Sequence, residues 1–350
     1  MINRVSSSSA AFAAAAGAGL ASALLFSLVT QATFAAIALA YLSPLPIMIA
    51  MIGFGRAAGV TAGAVASLAV GVIAYLQQAQ QESGASAGAA AITGATFALA
   101  LAAPALWLSF LALTQPKEAR APGELRAGAA PQEFHPLERL LAAAIAISAT
   151  VGVVATIVAT ARHGGFAAAL AHADATLTPV LEALAAETPL PQGIDLHKMA
   201  RLMALAAPPA IAASTLLMLL ANLWLAARAA QISSLLPRPW PDIPRELRLS
   251  RIYVPALVVA IGVSFVGGLA GVVSAIVAAT LAMGFALQGL AVVHDVSRSL
   301  KYRTLLLGFI YFGLVLLAPP WLLIAFAAIG VAESIFSLRA RKRNSLTRKT

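Results

Sequence analysis

The sequence predicts an all-α protein built as a polytopic bundle of transmembrane helices. Three observations predict this class: 61% of the residues are hydrophobic, only 10% are charged, and the mean hydropathy is +0.89. An ordinary soluble domain carries roughly 25% charged residues, so water-soluble, disordered and coiled-coil proteins are excluded. The chain also contains no cysteine, which excludes disulfides, thiolate metal sites and cysteine nucleophiles.

Ten apolar tracts are each near the length of one bilayer crossing, which is about 20 residues for a hydrocarbon core of about 30 Å. They lie at 10–30, 33–54, 57–77, 88–114, 139–161, 204–228, 252–267, 270–294, 303–318 and 320–338. The uncharged tract from Ile252 to Val293 is too long for one crossing, and we place its turn at Gly267-Gly268, because paired glycines favour reversals. Pro319-Pro320 divides the next tract in the same way. Both divisions leave short helices, so we expect about ten spans, with eight spans and a re-entrant segment as the alternative.

The lysine and arginine residues predict the orientation of these spans. With a cytoplasmic N-terminus, 20 of the 23 basic residues fall on the cytoplasmic side, and only Arg162, Lys198 and Arg201 fall outside. This asymmetry follows the positive-inside rule, so we predict that both termini are cytoplasmic in a bacterial inner membrane. We expect the first apolar tract to be an uncleaved helix, because further spans follow it at once.

The segments between the spans are short, so we expect one membrane domain over residues 1–338. It contains a cytoplasmic loop at 115–138, an extracytoplasmic helical insertion at 162–203 and a Pro-rich cytoplasmic connector at 229–251. Within the insertion we expect short helices at 167–173, 178–186 and 195–203. We expect residues 339–350 to form a basic cytoplasmic tail. The positive-inside rule and attraction to anionic lipid account for its charge, and contact with RNA or ribosomes is the alternative. No aromatic residue lies among the tail charges, so we expect no nucleic-acid partner.

No motif for catalysis, nucleotide hydrolysis or metal binding stands out. Gly84-Ala-Ser-Ala-Gly88 matches the G-x-S-x-G pattern, but it lies between membrane helices and lacks the strand-turn-helix context of a nucleophile elbow. His163, His172 and His197 share the outside insertion without a recognised ligand spacing, so a weak metal site there is the less favoured reading. We therefore expect a protein that is not an enzyme, with no cofactor, no metal and no ATPase of its own.

Two predicted spans carry small residues at intervals of four. These are Gly55, Gly59 and Gly63 in the third span, and Gly17 with Ala21 or Gly19 with Ala23 in the first. Small residues on one helix face let two backbones approach closely in lipid. We expect these faces to pack within the bundle, with docking of another membrane subunit as the alternative.

Among the few polar residues inside the predicted spans, Asn222, Gln288 and Glu333 are the candidate ligand-binding residues. Polar groups are costly in lipid and therefore mark functional sites by default. For Asn222 and Gln288 an interhelical hydrogen bond competes with ligand contact and is favoured. Glu333 is either an interfacial partner of basic residues or a ligand or proton site.

Four stretches, in this order along the chain, carry a resemblance to a known family. They are Tyr41-Leu-Ser-Pro-Leu-Pro46 followed by Gly53-Phe-Gly-Arg56, Asn222-Leu-Trp-Leu225 running to Arg238-Pro-Trp-Pro241, Gln288-Gly-Leu-Ala-Val-Val-His294, and Gly330-Val-Ala-Glu-Ser-Ile-Phe-Ser-Leu-Arg339. The chain thereby resembles the YybS-like family of predicted bacterial multi-pass membrane proteins, whose function is unknown. The residues that match are Pro44, Pro46, Arg56, Asn222, Trp224, Arg238, Pro239, Trp240, Gln288, Gly289, Gly330, Glu333 and Arg339. The family usually has an acid of the Asp type at position 333 and another acid at 337, where this chain has Glu333 and Ser337.

The helix with Pro44 and Pro46 and the small-residue first helices more distantly resemble the substrate-binding subunits of energy-coupling-factor vitamin transporters. This resemblance covers about the first half of the chain. It implies a binding subunit that depends on a separate coupling subunit and on ATPases. We therefore expect a small-molecule-binding or transport subunit whose partners are the lipid bilayer and other membrane subunits or an ATPase module. The alternative is a non-transporting scaffold or accessory protein that acts through its helix faces and basic tail.

Overall fold

A computed structural model describes residues 7–31, 33–80, 85–114, 137–187, 195–236, 241–314 and 320–347. These residues form helices joined by turns, without any strand, so the all-α prediction is confirmed for them. The chain divides into two compact units: unit 1 comprises Met1–Ala144 and Leu217–Pro241, and unit 2 comprises Ile145–Leu216 and Asp242–Thr350.

The α-helices are numbered in chain order. They are α1 Ser7–Ser27, α2 Phe34–Ala40, α3 Pro44–Phe54, α4 Arg56–Ala79, α5 Ala87–Phe97, α6 Ala103–Leu113, α7 Leu137–Arg162, α8 Phe166–Glu187, α9 Leu196–Ile232, α10 Ile243–Glu246, α11 Tyr253–Ser264, α12 Gly268–Val296, α13 Arg303–Phe312, α14 Pro320–Phe336 and α15 Leu338–Thr347. A π-helical turn, Ala98–Ala102, joins α5 to α6.

Seven helical segments among the described residues are long and apolar enough to cross a membrane, as judged by length and composition. They correspond to the first six predicted spans and to the span at 270–294. Three other predicted spans coincide with shorter apolar helices, among them α11 with 12 residues and α13 with 10. At 1.5 Å per residue such helices are about 15–18 Å long, which is less than the bilayer core, so the number of spans stays a prediction.

The break between α11 and α12 falls at the predicted glycine pair. Gly267 and Gly268 have φ angles of +80° and +62°, in the left-handed region that residues with a side chain rarely adopt.

The outside insertion differs from the short helices expected there. Helix α8 runs through Pro179 without ending, and residues 196–203 are the beginning of α9, which has 37 residues. A proline inside a helix removes one backbone hydrogen bond and bends the helix, and the flanking turns continue. At about 55 Å, α9 is also longer than the bilayer core is thick.

In unit 1, helix α4 packs against α1, α3 and α5. Small residues lie at these contacts: a Cβ atom added to Gly19 would lie 2.6 Å from the carbonyl oxygen of Ala62, and one added to Gly94 would lie 2.6 Å from that of Ser67. Such distances leave no room for a side chain, so the backbones themselves are in contact.

In unit 2, helix α12 is the central element and contacts α8, α10, α11, α14 and α15. Ala212, Val272 and Ile276 form a buried apolar cluster against which Phe166 and Leu205 pack. This arrangement positions the polar residues of α12 and α14 in the interior of the unit.

Candidate functional site

The crossing of α12 and α14 in unit 2 brings two helix backbones into direct contact. A Cβ atom on Gly289 would lie 1.9 Å from the carbonyl oxygen of Phe326, and one on Gly330 would lie 2.0 Å from that of Phe285. Only glycine fits at either position. Gly289 and Gly330, the glycines of the last two family-like motifs, therefore have a packing reason in this chain.

Gln288 lies beside this crossing and is fully buried. Its Oε1 accepts a hydrogen bond from the backbone N–H of Leu249 (2.6 Å), and its Nε2 donates to the carbonyl oxygen of Gly330 and to Oγ of Ser334, both at 2.9 Å. Ser334 in turn donates to the Leu249 carbonyl oxygen at 2.7 Å. The amide thus joins α12, α14 and the segment before α11, and its oxygen and nitrogen both bond to the chain itself.

Glu333 pairs with Arg339, and both side chains are almost completely buried, at 2% and 0% exposure. Arg339 Nε donates to Glu333 Oε1 at 2.9 Å, and its backbone N–H donates to Oε2 at 3.0 Å. The remaining guanidinium nitrogens donate to three backbone carbonyls, those of Pro244 (2.6 Å), Arg245 (3.2 Å) and Leu247 (2.8 Å). The carboxylate therefore has a structural partner, which is one of the two alternatives considered for it.

The predicted basic tail needs a correction at its start. Arg339 lies in the interior of unit 2, and the Lys342 ammonium donates to the carbonyl oxygen of Val296. Helix α15 is thus attached to the core through its first turns. The reason is Ser337, whose φ of +50° ends α14 and turns the chain so that Arg339 meets Glu333.

An ion-pair ring at the end of α12 was not anticipated from the sequence. Arg245 lies 3.6 Å from Asp242 and 3.6 Å from Asp295, and Arg298 pairs with the same two carboxylates. The signal in the sequence was the spacing of three residues within each Asp–Arg pair, which places both partners on one side of a helical turn. The ring is partly exposed, so it contributes little stability.

In unit 1 the predicted span 33–54 is interrupted between α2 and α3. Pro44 and Pro46 lack the backbone N–H groups that a regular helix needs. The hydrogen bonds here therefore connect residues three positions apart: Ser43 N–H donates to Ala40 O, and Leu45 N–H donates to Leu42 O, both at 3.0 Å. In a regular helix the N–H of Leu45 would donate to the carbonyl oxygen of Tyr41, four residues before it, but here it donates to that of Leu42. We call residues 41–46 the proline break.

Asn222 on α9 supplies the missing donor at the proline break. Its Nδ2 donates to the Tyr41 carbonyl oxygen and to the Met218 carbonyl oxygen, both at 2.8 Å. Since carbonyl oxygens only accept, these two contacts fix which end of the amide is nitrogen. Asn222 thereby makes the interhelical hydrogen bond that was favoured for it.

Two buried atoms at this place have no hydrogen-bond partner among the described residues. They are Oδ1 of Asn222 and Oγ of Ser43, whose residues are 1% and 0% exposed. Ser43 contributes its carbonyl oxygen to a bond from the Ser22 hydroxyl, but its own hydroxyl stays without a partner. The proline break thus carries one unmatched acceptor and one unmatched hydroxyl in an apolar interior.

Only some of the small residues predicted to lie at helix contacts are found there. Gly59 contacts Met51 on α3, and Gly63 contacts Leu106 on α6, so both lie at helix contacts. Gly55 is the turn between α3 and α4, with φ of +95°, and an added Cβ there or on Gly17 meets no atom within 4 Å. On α1 the packed positions are Gly19 and Ala23, the second pairing proposed from the sequence, and Ala21 is half-buried.

The other residues of the family-like motifs are spread over the chain. Pro44 is buried, Trp224 is about half exposed, and the Arg56 guanidinium lies 4.3 Å from the centre of the Phe110 ring. Arg238, Pro239 and Trp240 lie outside the described residues.

A shallow apolar groove of about 520 Å³ lies between α4 and α5. Its lining includes Leu68, Val72 and Ala91. None of the three candidate ligand-binding residues lines it. The polar residues in its lining are Ser67, whose hydroxyl donates to the Gly63 carbonyl oxygen at 2.8 Å, and Tyr75.

Comparison with family models, with curated proteins and with solved structures finds no match to this chain. The resemblance to the YybS-like family stays a prediction from the sequence.

Proposed function

We propose that the protein is a multi-pass protein of the bacterial inner membrane that binds a small molecule at the proline break of unit 1. In this role it serves as a binding or transport subunit and relies on a separate ATPase module. The observation that carries the proposal is the pair of unmatched buried atoms, Asn222 Oδ1 and Ser43 Oγ.

Energetics support a ligand at this place. A buried polar group without a hydrogen bond costs about 1–3 kcal/mol, so native structures keep few of them. A molecule that donates an N–H or O–H hydrogen bond would satisfy Asn222 Oδ1, and a polar atom of a bound molecule would satisfy the Ser43 hydroxyl. Interrupted membrane helices with freed backbone carbonyls are common binding sites in transport proteins.

The other two candidates are poor ligand contacts by the same criterion. Gln288 bonds to Leu249, Gly330 and Ser334, and Glu333 is held by Arg339. A ligand would have to displace these bonds, which costs more than it gains in an apolar interior. We therefore assign Gln288 and Glu333 to the stability of unit 2.

Native mass spectrometry of the protein extracted from its own membranes tests the proposal. The wild type should carry a bound non-protein mass, and Ser43→Ala and Asn222→Ala should each lose it. Ser148→Ala is a matched control, because Ser148 Oγ is also buried and without a partner but lies on α7. A wild-type protein that is repeatedly found empty and alone would contradict the proposal.

A scaffold function is the second candidate, and the attachment of α15 favours it. Arg339 and Lys342 attach the beginning of a basic helix to the core of unit 2, and basic residues near a membrane surface attract anionic lipid or an acidic partner. If the protein is a scaffold, replacing Arg343, Arg348 and Lys349 by glutamine should abolish its function in the cell. The same replacement should leave the function in the cell unchanged if the protein acts through the proline break.

A further inference from the structure

The turn between α7 and α8 brings two histidines together on the surface of unit 2. Gly164 N–H donates to Ala161 O at 3.2 Å, and Gly165 N–H donates to Thr160 O at 2.9 Å, which is the bonding pattern of a Schellman helix end. The φ angles of +78° at Gly164 and +131° at Gly165 reverse the chain. The residue before this turn is His163, and α8 then carries His172 back to it.

The two imidazole rings lie close together, and both residues are exposed to solvent. Their centroids are 4.5 Å apart, and their planes are inclined by 33°. A solute can therefore reach the ring nitrogens without any opening of the helices.

His163 is also held in a fixed orientation and tautomer. Its Nδ1 lies 2.8 Å from the carbonyl oxygen of Ala159. A carbonyl oxygen only accepts, so Nδ1 carries the proton and Nε2 of the neutral ring carries a free lone pair. Metal-binding histidines are commonly oriented by such a bond from the opposite ring nitrogen to a backbone carbonyl.

The separation of the rings allows both side chains to bind one metal ion. An imidazole nitrogen binds a metal at about 2.0–2.1 Å, which places the ring centroid roughly 3 Å from the ion. Two rings on one ion can therefore have centroids up to roughly 6 Å apart, and the observed 4.5 Å lies within that limit. Rotation of the exposed side chains turns both ring nitrogens to the ion, and among divalent first-row metals a nitrogen site binds Cu²⁺ most tightly.

We propose that His163 and His172 form a surface site for a late divalent transition-metal ion, with Cu²⁺ the tightest. The described residues hold no group of three or more metal-ligating side chains, so water or an exogenous ligand completes the shell. The site is therefore open and exchangeable, unlike a closed structural metal site. This inference is independent of the proposed function, because it involves neither Asn222 nor Ser43.

Copper titration of the full-length protein in nanodiscs, without a polyhistidine tag, tests the site. Electron paramagnetic resonance should show one Cu²⁺ per chain coupled to two nitrogen nuclei. His163→Ala and His172→Ala should each weaken binding by roughly a hundredfold and leave one coupled nitrogen, because the second ligand no longer acts at high effective concentration. His197→Ala is the matched control in the same insertion, where its Nδ1 lies 3.3 Å from Thr178 Oγ1, and it should bind Cu²⁺ like the wild type.

Both substituted side chains are exposed, so each variant should unfold at the wild-type temperature in the absence of copper. Equal copper affinity in the wild type and in both single variants would overturn the proposal. A wild-type spectrum with a single coupled nitrogen would overturn it as well, and so would a loss of binding in His197→Ala equal to that in the other variants.

Discussion

Units 1 and 2 each contain an interrupted helix, and they satisfy the freed polar groups to different extents. In unit 2 the turn at Ser337 lies beside Glu333 and Arg339, which bond to each other and to three backbone carbonyls. In unit 1 one amide, Asn222, satisfies the carbonyl of Tyr41 at the proline break, and two buried atoms are left without a partner. Glu333 and Arg339 thus bond to the chain itself, whereas Asn222 Oδ1 and Ser43 Oγ can still form hydrogen bonds with a bound molecule.

Apolar substitutions of buried polar residues should therefore have different effects in the two units. At Gln288, Glu333 and Arg339 in unit 2, a change to an apolar residue should damage stability, because it leaves several buried partners without a hydrogen bond. At the proline break, the same change should cost little stability and should remove the proposed binding activity.

The largest expected effect concerns the glycine contact of α12 and α14. Gly289→Ala would place a Cβ atom 1.9 Å from the Phe326 carbonyl oxygen, so the helices must separate and break the Gln288 bonds nearby. We expect a loss of more than about 3 kcal/mol in the free energy of unfolding. The measurement is the yield and thermal unfolding of the purified protein, with Gly17→Ala as control because an added Cβ there meets no atom. Equal losses in the two variants would contradict the tight crossing.

Removal of the buried guanidinium should be nearly as damaging. Arg339→Met leaves the Glu333 carboxylate without its cation and three carbonyl groups without a donor, which we expect to cost about 3–5 kcal/mol. Thermal unfolding of the single variant should be compared with that of the double variant Arg339→Met with Glu333→Leu. The double variant should recover part of the loss, because no unpaired charge is then buried. A double variant that is less stable than the single one would contradict this interpretation.

The two interior amides offer the most direct contrast between the units. Gln288→Leu removes bonds to Leu249, Gly330 and Ser334, for an expected loss of about 2–3 kcal/mol. Asn222→Leu removes one bond to another helix, to Tyr41, for an expected loss of about 1 kcal/mol. Chemical unfolding of both variants in one detergent would compare them. The account fails on this point if Asn222→Leu proves the more destabilising.

The smallest effect is expected from Pro46→Ala. The new backbone N–H can donate to the Leu42 carbonyl oxygen, which frees the Leu45 N–H to return to Tyr41 as in a regular helix. Asn222 would then be redundant for Tyr41, so Asn222→Ala should cost about 0.5–1 kcal/mol less in the Pro46→Ala background than in the wild type. A double-mutant cycle of thermal stability measures this coupling. Strict additivity would show that the prolines do not create the need for Asn222.

Local physical chemistry was enough to predict the helices from the sequence. Apolar tracts of bilayer length marked nearly every helix, and the glycine pair at 267–268 marked a reversal, because hydropathy and backbone freedom are properties of neighbouring residues. The expectation of separate helices at 167–173 and 178–186 was wrong, because α8 is one helix that continues through Pro179.

The partners of the polar residues required the folded chain. Asn222 and Tyr41 are 181 positions apart, and no local pattern connects them. Arg339 is the first of several basic residues near the C-terminus, and the sequence therefore predicts it as part of a basic cytoplasmic tail. Six residues separate it from Glu333, a spacing that leaves the two far apart on a continuous helix, and only the turn at Ser337 brings them together.

The central claim is that the proline break takes a molecule from outside the chain, whereas Gln288 and Glu333 in unit 2 bond to the chain itself. An experimental density map of the wild-type protein from native membranes, at a resolution that shows ordered water, tests this claim most directly. The account predicts non-protein density larger than one water molecule within hydrogen-bond distance of Asn222 Oδ1 and Ser43 Oγ. A protein donor bonded to Asn222 Oδ1, or a single buried water in that place, would contradict it.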